Sequence, residues 1–357
     1  IRTVKLCEIA LMSLGAIGLF LAWQGLLVHA VAIPLMLFAL FLAGLQSTFL
    51  GPIKYSILPQ HLRKDEVLAG TGLIEAGTYL AILFGTILAG WIPVEAAMVL
   101  VIVTALVGYQ VSRRIPDAPA MSSDEQVDWN VLRSSGALVR YVMKDRVIYL
   151  ATIAISVFWT VGAILFIQFP PLAKNVIHAS KEVATLFIVM FSVGIAIGSV
   201  LINKLLKGEV SARYGSVSVI AMGFFIAVFY VFVRQWPIGY PGQLLSVPEF
   251  LSYPLAWALL GVLLCIAICG GVFVVPLYAF LTTRVAADKA SRTIAATNMI
   301  SSVFMVGGAL LAVFMTLIGI GIEEQVLASV LLCVATSWFV RRLYAEEHLP
   351  TVHLDEG

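Results

Sequence analysis

Ten apolar stretches, each long enough to cross a bilayer, dictate what this chain can become: residues 4–28, 31–50, 67–91, 94–112, 147–172, 183–205, 215–235, 254–280, 293–319 and 325–343. A hydrocarbon core about 30 Å thick takes about 20 helical residues, and a spanning segment must satisfy its own backbone groups, so each stretch is expected as a transmembrane α-helix. With 61% hydrophobic and 12% charged residues and a mean hydropathy of +1.01, these 357 residues cannot furnish a soluble surface. An even number of spans returns the chain to its starting side. Of the 22 Lys and Arg residues, nineteen then fall at one end of the bundle and only Lys174, Lys181 and Arg234 at the other. The positive-inside rule makes the nineteen-residue end, and both chain ends, cytoplasmic.

One connection differs from the rest. Residues 113–146 are polar, carry Pro116 and Pro119, and turn amphipathic through Trp129, Leu132 and Leu138, as expected of a cytoplasmic linker. It separates an N-terminal bundle of four helices (1–112) from a C-terminal six-helix bundle (147–345), with 346–357 as a cytoplasmic tail. Four against six is an unequal division, and the opening residues are read as entering a helix almost at once, with no cleavable leader expected. The expectation is therefore an original six-plus-six arrangement without its first two helices. Such halves, with a site at their interface, describe the major facilitator architecture, so the expected fold class is an all-α polytopic membrane protein of ten helices (4+6).

Small residues forecast where helices touch. Gly77, Ala81, Gly85 and Ala89 recur every four residues, and Gly194 with Gly198 form a GxxxG, so both patterns are read as close helix contacts. Cys7, Cys265, Cys269 and Cys333 all fall in apolar runs and are read as small packing residues, with no metal site implied.

The polar residues inside apolar runs carry the functional reading. Glu75 lies nine residues past Glu66, roughly 14 Å along a helix at about 1.5 Å per residue. A charge at that depth costs on the order of 3 kcal/mol, so it normally faces a partner, a watery cavity or a substrate path. Ahead of it, a basic loop offers Lys54, His61, Arg63 and Lys64. Lys54 is either an ordinary topology lysine or an ammonium within reach of a lipid phosphate. Asn298 and Ser302, four apart, share a helix face and either line a polar path or bond a neighbouring helix. Gln46 has the same two readings. Glu8 is expected in an interfacial salt bridge with Lys5, while Arg2, Lys204, Lys207, Arg284 and Arg292 read as topology determinants near anionic lipid.

Four segments carry a family resemblance: GPIKYSILPQHL (51–62) with the Glu75 helix, SVFWTVGAILFIQFP (156–170), FSVGIAIGSVLINKL (191–205), and GGVFVVPLYAFL with SRTIAATNMISSVFMV (270–281 and 291–306). In this order they resemble the bacterial lysophospholipid transporters, most of all the transporter part of fused transporter/acyl-glycerophosphoethanolamine acyltransferase proteins. The resemblance implies a flippase that moves lysophospholipid, chiefly lysophosphatidylethanolamine, from the outer to the inner leaflet of the bacterial cytoplasmic membrane for reacylation. It implies Lys54 and Glu75 as substrate-binding residues, with Gln46 and Asn298 beside them. It also implies coupling to a sodium or proton gradient without a bound cofactor. The stand-alone transporters carry an arginine where this chain has Phe166, which makes Gln168 the nearest polar substitute. The partners expected are the lipid substrate, membrane lipid and a fused or associated acyltransferase, with a monomeric chain and no nucleic acid.

Other classes remain in view. An efflux transporter of amphipathic compounds would share this architecture, and a membrane anchor for an enzyme would need only the helices. The chain itself lacks the His-x4-Asp of phospholipid acyltransferases: His61 is followed at the fifth position by Glu66, and His178 by Val183.

Overall fold

The computed structural model describes residues 1–118, 130–237 and 244–347. All ten expected spans form: α1 (Arg2–Trp23), α2 (Ile33–Ser56), α4 (Val67–Trp91), α5 (Val94–Ser112), α7 (Arg146–Pro171), α8 (Lys181–Leu206), α9 (Gly215–Arg234), α11 (Pro254–Arg284), α12 (Ala287–Leu317) and α13 (Ile322–Glu347). Three short or amphipathic helices join them: α3 (Leu58–His61), α6 (Val131–Lys144) and α10 (Val247–Leu251). Among the described residues the only β pairing is an isolated bridge between Ala179 and Leu245.

The second helix runs further than its apolar stretch suggests. Pro52 sits inside α2, where it removes one backbone donor and leaves the Thr48 carbonyl without its helical partner, yet the helix continues to Ser56. Lys54 therefore occupies the last turn of a membrane helix instead of a loop. α6 starts at Asn130, whose side chain accepts from the Arg133 amide at 3.1 Å, and packs against α7 and α12. Trp129, Pro119 and the tail beyond residue 347 lie outside the described residues.

Packing is uneven along the chain. α7, α8, α9, α11 and α13 enclose a dense core in which Phe169, Phe187, Phe229 and Phe250 are wholly buried and meet edge to face. Against lipid there is little hydrophobic drive between helices, so close packing and interhelical hydrogen bonds do the holding. A hydroxyl seam joins α7 to α12, with Thr152 to Thr297 and Ser156 to Ser301 each at 3.0 Å. By contrast α1 packs on α2 and α5, all three leave wide apolar faces exposed, and α2 reaches α12, while α4 packs chiefly on α8 and α11.

The GxxxG of α8 does bring backbones together. A side chain at Gly198 would strike the Ile268 carbonyl, and one at Gly194 would lie 2.5 Å from the Ala267 Cβ. The α4 stripe behaves otherwise: a Cβ at Gly77 or Gly85 would meet nothing within 4 Å. The close contact on that helix is made by Gly72, pressed against the Ser199 carbonyl, because α4 turns a different face to α8 than the four-residue repeat suggests. Of the cysteines, Cys333 packs on Gly223, whereas Cys7 is exposed.

Candidate functional site

Four helices from both halves of the chain converge on one polar chain of contacts. Glu75, the ninth residue of α4, is only 2% exposed. The Tyr55 hydroxyl on α2 donates to its carboxylate. Tyr55 stacks on Tyr278 of α11, with ring centroids 4.7 Å apart and planes 1° from parallel, and the Trp159 indole of α7 donates to the Tyr278 hydroxyl at 2.9 Å. Stacked aromatic pairs contribute about 0.5–1.5 kcal/mol beyond their burial, so the three rings form a stiff wall.

Lys54 lies beside this wall. Its Nζ sits 4.9 Å from the Tyr55 ring centroid and 3.5 Å from the Thr78 hydroxyl of α4, itself three residues beyond Glu75. Lys54 and Glu75 do not meet within 4.0 Å, yet each lies within the other's field. Among the described residues the Lys54 ammonium is thus free of a contacting carboxylate, whereas the Glu75 carboxylate is buried and held by the Tyr55 hydroxyl.

The wall borders a cavity of about 600 Å³ between the two halves. Thr48, Gly51, Lys54 and Tyr55 of α2 form one side, Trp159 and Tyr278 another, and Asn298, Met299, Ser302 and Met305 of α12 the third. Gly51 admits the Asn298 amide, since a Cβ there would stand 3.3 Å from Nδ2. The Ser302 hydroxyl turns back to the Asn298 carbonyl at 2.8 Å, which lowers its own demand for a partner. A cation, an amide and a few hydroxyls on largely apolar walls suit an amphipathic ligand.

Of the residues singled out in the sequence, Lys54 and Asn298 line this cavity and Glu75 is joined to it through the Tyr55 hydroxyl; Gln46 and Gln168 do not border it. The Gln46 amide donates to the Val4 carbonyl at 3.2 Å and to Glu8 at 3.4 Å, so it faces α1 and joins the Lys5–Glu8 salt bridge of 2.7 Å. One residue of α2 is a 100° turn, enough to separate Gln46 from Ser47 and Thr48, which line the cavity. Gln168 is buried and donates to Gln325 of α13 at 2.5 Å, while Phe166 packs edge-on against Phe191 at 5.2 Å. That region is an aromatic and amide clamp inside the second half. Tyr55, Tyr278 and Trp159 were missed as site residues, although all three stand within the segments that carry the family resemblance; nothing in their local spacing distinguishes them from packing aromatics.

Known proteins resemble this chain in fold and, separately, in sequence. The structure resembles the E. coli fucose:proton symporter FucP, with a TM-score of 0.60 and 13% identity, covering 96% of this chain and 83% of that one. It also resembles a bacterial homologue of the iron transporter ferroportin, with a TM-score of 0.63 and 13% identity, covering 97% and 82%. At such identity these likenesses speak to the fold alone. In sequence, the lysophospholipid transporter LplT of Serratia proteamaculans is 28% identical over 253 residues, 68% of this chain and 57% of its own length. Its namesake from Klebsiella pneumoniae is 26% identical over 250 residues, again 68% and 57%. The chain thus spans a little over half the length of the curated relatives it matches. The profile of the Major Facilitator Superfamily matches residues 7–310, and with ten spanning helices around a cavity between its halves the chain belongs to that superfamily of membrane transporters.

Proposed function

We propose that this protein is a secondary transporter of lysophospholipid, chiefly lysophosphatidylethanolamine, carrying it from the outer to the inner leaflet of a bacterial cytoplasmic membrane, where it is reacylated. The observation that carries the reading is the pairing of Lys54 at an apolar-walled cavity with Glu75 one helix away. A zwitterionic headgroup brings a phosphate for the ammonium and an ammonium for the carboxylate, offsetting the hydration both lose on entry. Asn298 supplies a neutral donor and acceptor, and the single tail lies along the methionine and leucine walls. The sequence relatives named as lysophospholipid transporters support the same substrate class. The concentration of Lys and Arg at one end supports a cytoplasmic position for that end. Movement against a gradient would draw on sodium or protons, and an acyltransferase would consume the delivered lipid.

The test is uptake of labelled lysophosphatidylethanolamine into vesicles carrying the complete protein. Lys54→Ala and Glu75→Gln should each lower uptake severalfold at near-normal membrane abundance. Parental rates in both variants would refute the charge-pair site. Equal competition by unrelated amphipathic cations would favour efflux of amphipathic compounds instead.

A further inference from the structure

A second concavity lies away from the transport cavity, on the outer face of the seam between α4 and α8. It encloses about 390 Å³ and is lined by Ala76 and Leu80 of α4 and by Ala196, Val200 and Lys204 of α8. The α8 positions recur every four residues and so form one straight edge about 12 Å long, close to half of a hydrocarbon core about 30 Å thick. The two alanines give the groove its depth. Leu80 and Val200, 40% and 45% exposed, open it towards the surroundings of a membrane-spanning pair. Its shape and chemistry fit the acyl chain of a lipid in one leaflet.

The basic end of the groove adds charge. Lys204 closes it, and Lys207 follows one turn later with a left-handed backbone that ends α8. The next residue, Gly208, presses on the Asp65 carbonyl, 2.8 Å from where a Cβ would stand, which brings the α3–α4 connection with Lys64 alongside. The carboxylates of that connection are already engaged: Arg63 holds Glu66 at 3.1 Å and Asp65 at 3.8 Å. Among the described residues, no carboxylate lies within 4.0 Å of Lys64, Lys204 or Lys207. Lys204 at the end of an apolar slot, with Lys207 one turn on and Lys64 in the neighbouring connection, offers ammonium groups without a carboxylate within 4.0 Å, an arrangement complementary to a lipid phosphate.

We infer that this groove is a binding site for an anionic diacyl phospholipid of the surrounding membrane, one chain lying between α4 and α8 and the phosphate held by Lys204 and Lys207. The site does not depend on the identity of the transported substrate. Because α4 belongs to the first half of the sequence and α8 to the second, the bound lipid spans the seam and favours the arrangement in which the two stay in contact.

Native mass spectrometry of the detergent-released protein tests this with phosphatidylglycerol and phosphatidylcholine of identical chains. One saturable phosphatidylglycerol adduct is expected, at least fivefold preferred over phosphatidylcholine. Lys204→Gln with Lys207→Gln should abolish the preference, whereas Arg140→Gln with Lys144→Gln, on α6 at the same end, should leave it intact. Ala196→Leu should weaken retention of the adduct with the charges unchanged, and if that variant does not fold, Ala76→Val reads the same groove from the other wall. Equal retention of the two lipids overturns the proposal. So does a preference that survives loss of both lysines, or one that falls equally in the α6 variant, which would mean attraction to basic surface in general.

Discussion

Replacing Lys54 by Met and Glu75 by Gln, singly and together, separates architecture from transport. Each single change strands a charge. Lys54→Met leaves a carboxylate 2% exposed with the Tyr55 hydroxyl as its donor, whereas Glu75→Gln leaves an ammonium that still opens on a cavity of about 600 Å³. Breaking a contacting, fully buried pair costs about 3–5 kcal/mol; because these two groups stand more than 4.0 Å apart, Lys54→Met should reach at most about 3 kcal/mol, and cavity water limits Glu75→Gln to about half that. The double variant strands nothing and should lie within about 1 kcal/mol of the parent, giving a coupling energy of about 2 kcal/mol or more. Reversible unfolding in mixed micelles reads these differences, and at about 1.4 kcal/mol per decade the expected coupling exceeds tenfold in the folding equilibrium. Uptake by the double variant should stay low despite recovered stability. Additive single effects would refute the electrostatic link, and recovered uptake would assign the pair to architecture alone.

Further outcomes follow from the geometry. Gly198→Ala should lower stability by about 1–3 kcal/mol, because the collision is with the backbone carbonyl of Ile268, whereas Gly77→Ala should be tolerated; thermal unfolding followed by size-exclusion chromatography compares them. Gln325→Leu leaves the buried Gln168 amide without its acceptor and should cost about 1–3 kcal/mol, with no loss of uptake per folded molecule. Donation from the Ser246 hydroxyl and amide holds Glu249 below the usual carboxylate range, so its contribution to α10 is present above the unfolded value near 4.5 and fades as pH falls through the lower folded value. Hydrogen-exchange protection of the Phe250 amide should therefore be smaller at pH 3 than at pH 6. Single cysteines placed at Ser246 and at Glu209, in a background without the native four, should label from opposite sides of the membrane.

The spans were readable because lipid demands the same twenty apolar residues of every helix, and Glu75 because a carboxylate stands out in such a run. Lys54 stood out as a cation just past an apolar stretch, but that the helix runs through Pro52 to include it is visible only in the structure, where one lost donor does not stop it. For Gln46 the sequence left open a polar path or a bond to a neighbouring helix; the structure shows the bond to α1, a choice that depends on a single residue's rotation. The Tyr55–Tyr278 stack joins segments far apart in sequence, and no local pattern announces such a meeting. Likewise the small-residue stripe of α4 marked a helix able to approach a neighbour, but Gly72, outside the stripe, makes the approach.

Ser199 marks the level at which three backbones touch without an intervening layer of side chains: Gly72 of α4 lies on its carbonyl, and Gly271 of α11 would bring a Cβ within 2.7 Å of its amide. Side chains elsewhere can change rotamer and so absorb small displacements, but bare main chain has no such give. Around this level α4 cannot slide smoothly past α8; it can swing about the contact or part from it. The fold thus has a fulcrum, and Glu75, three residues along α4 from Gly72, sits close to it, where a swing moves a side chain least. The far end of α4 sweeps the widest arc, so conformational change should be read from probes near Ala89 and not from Glu75.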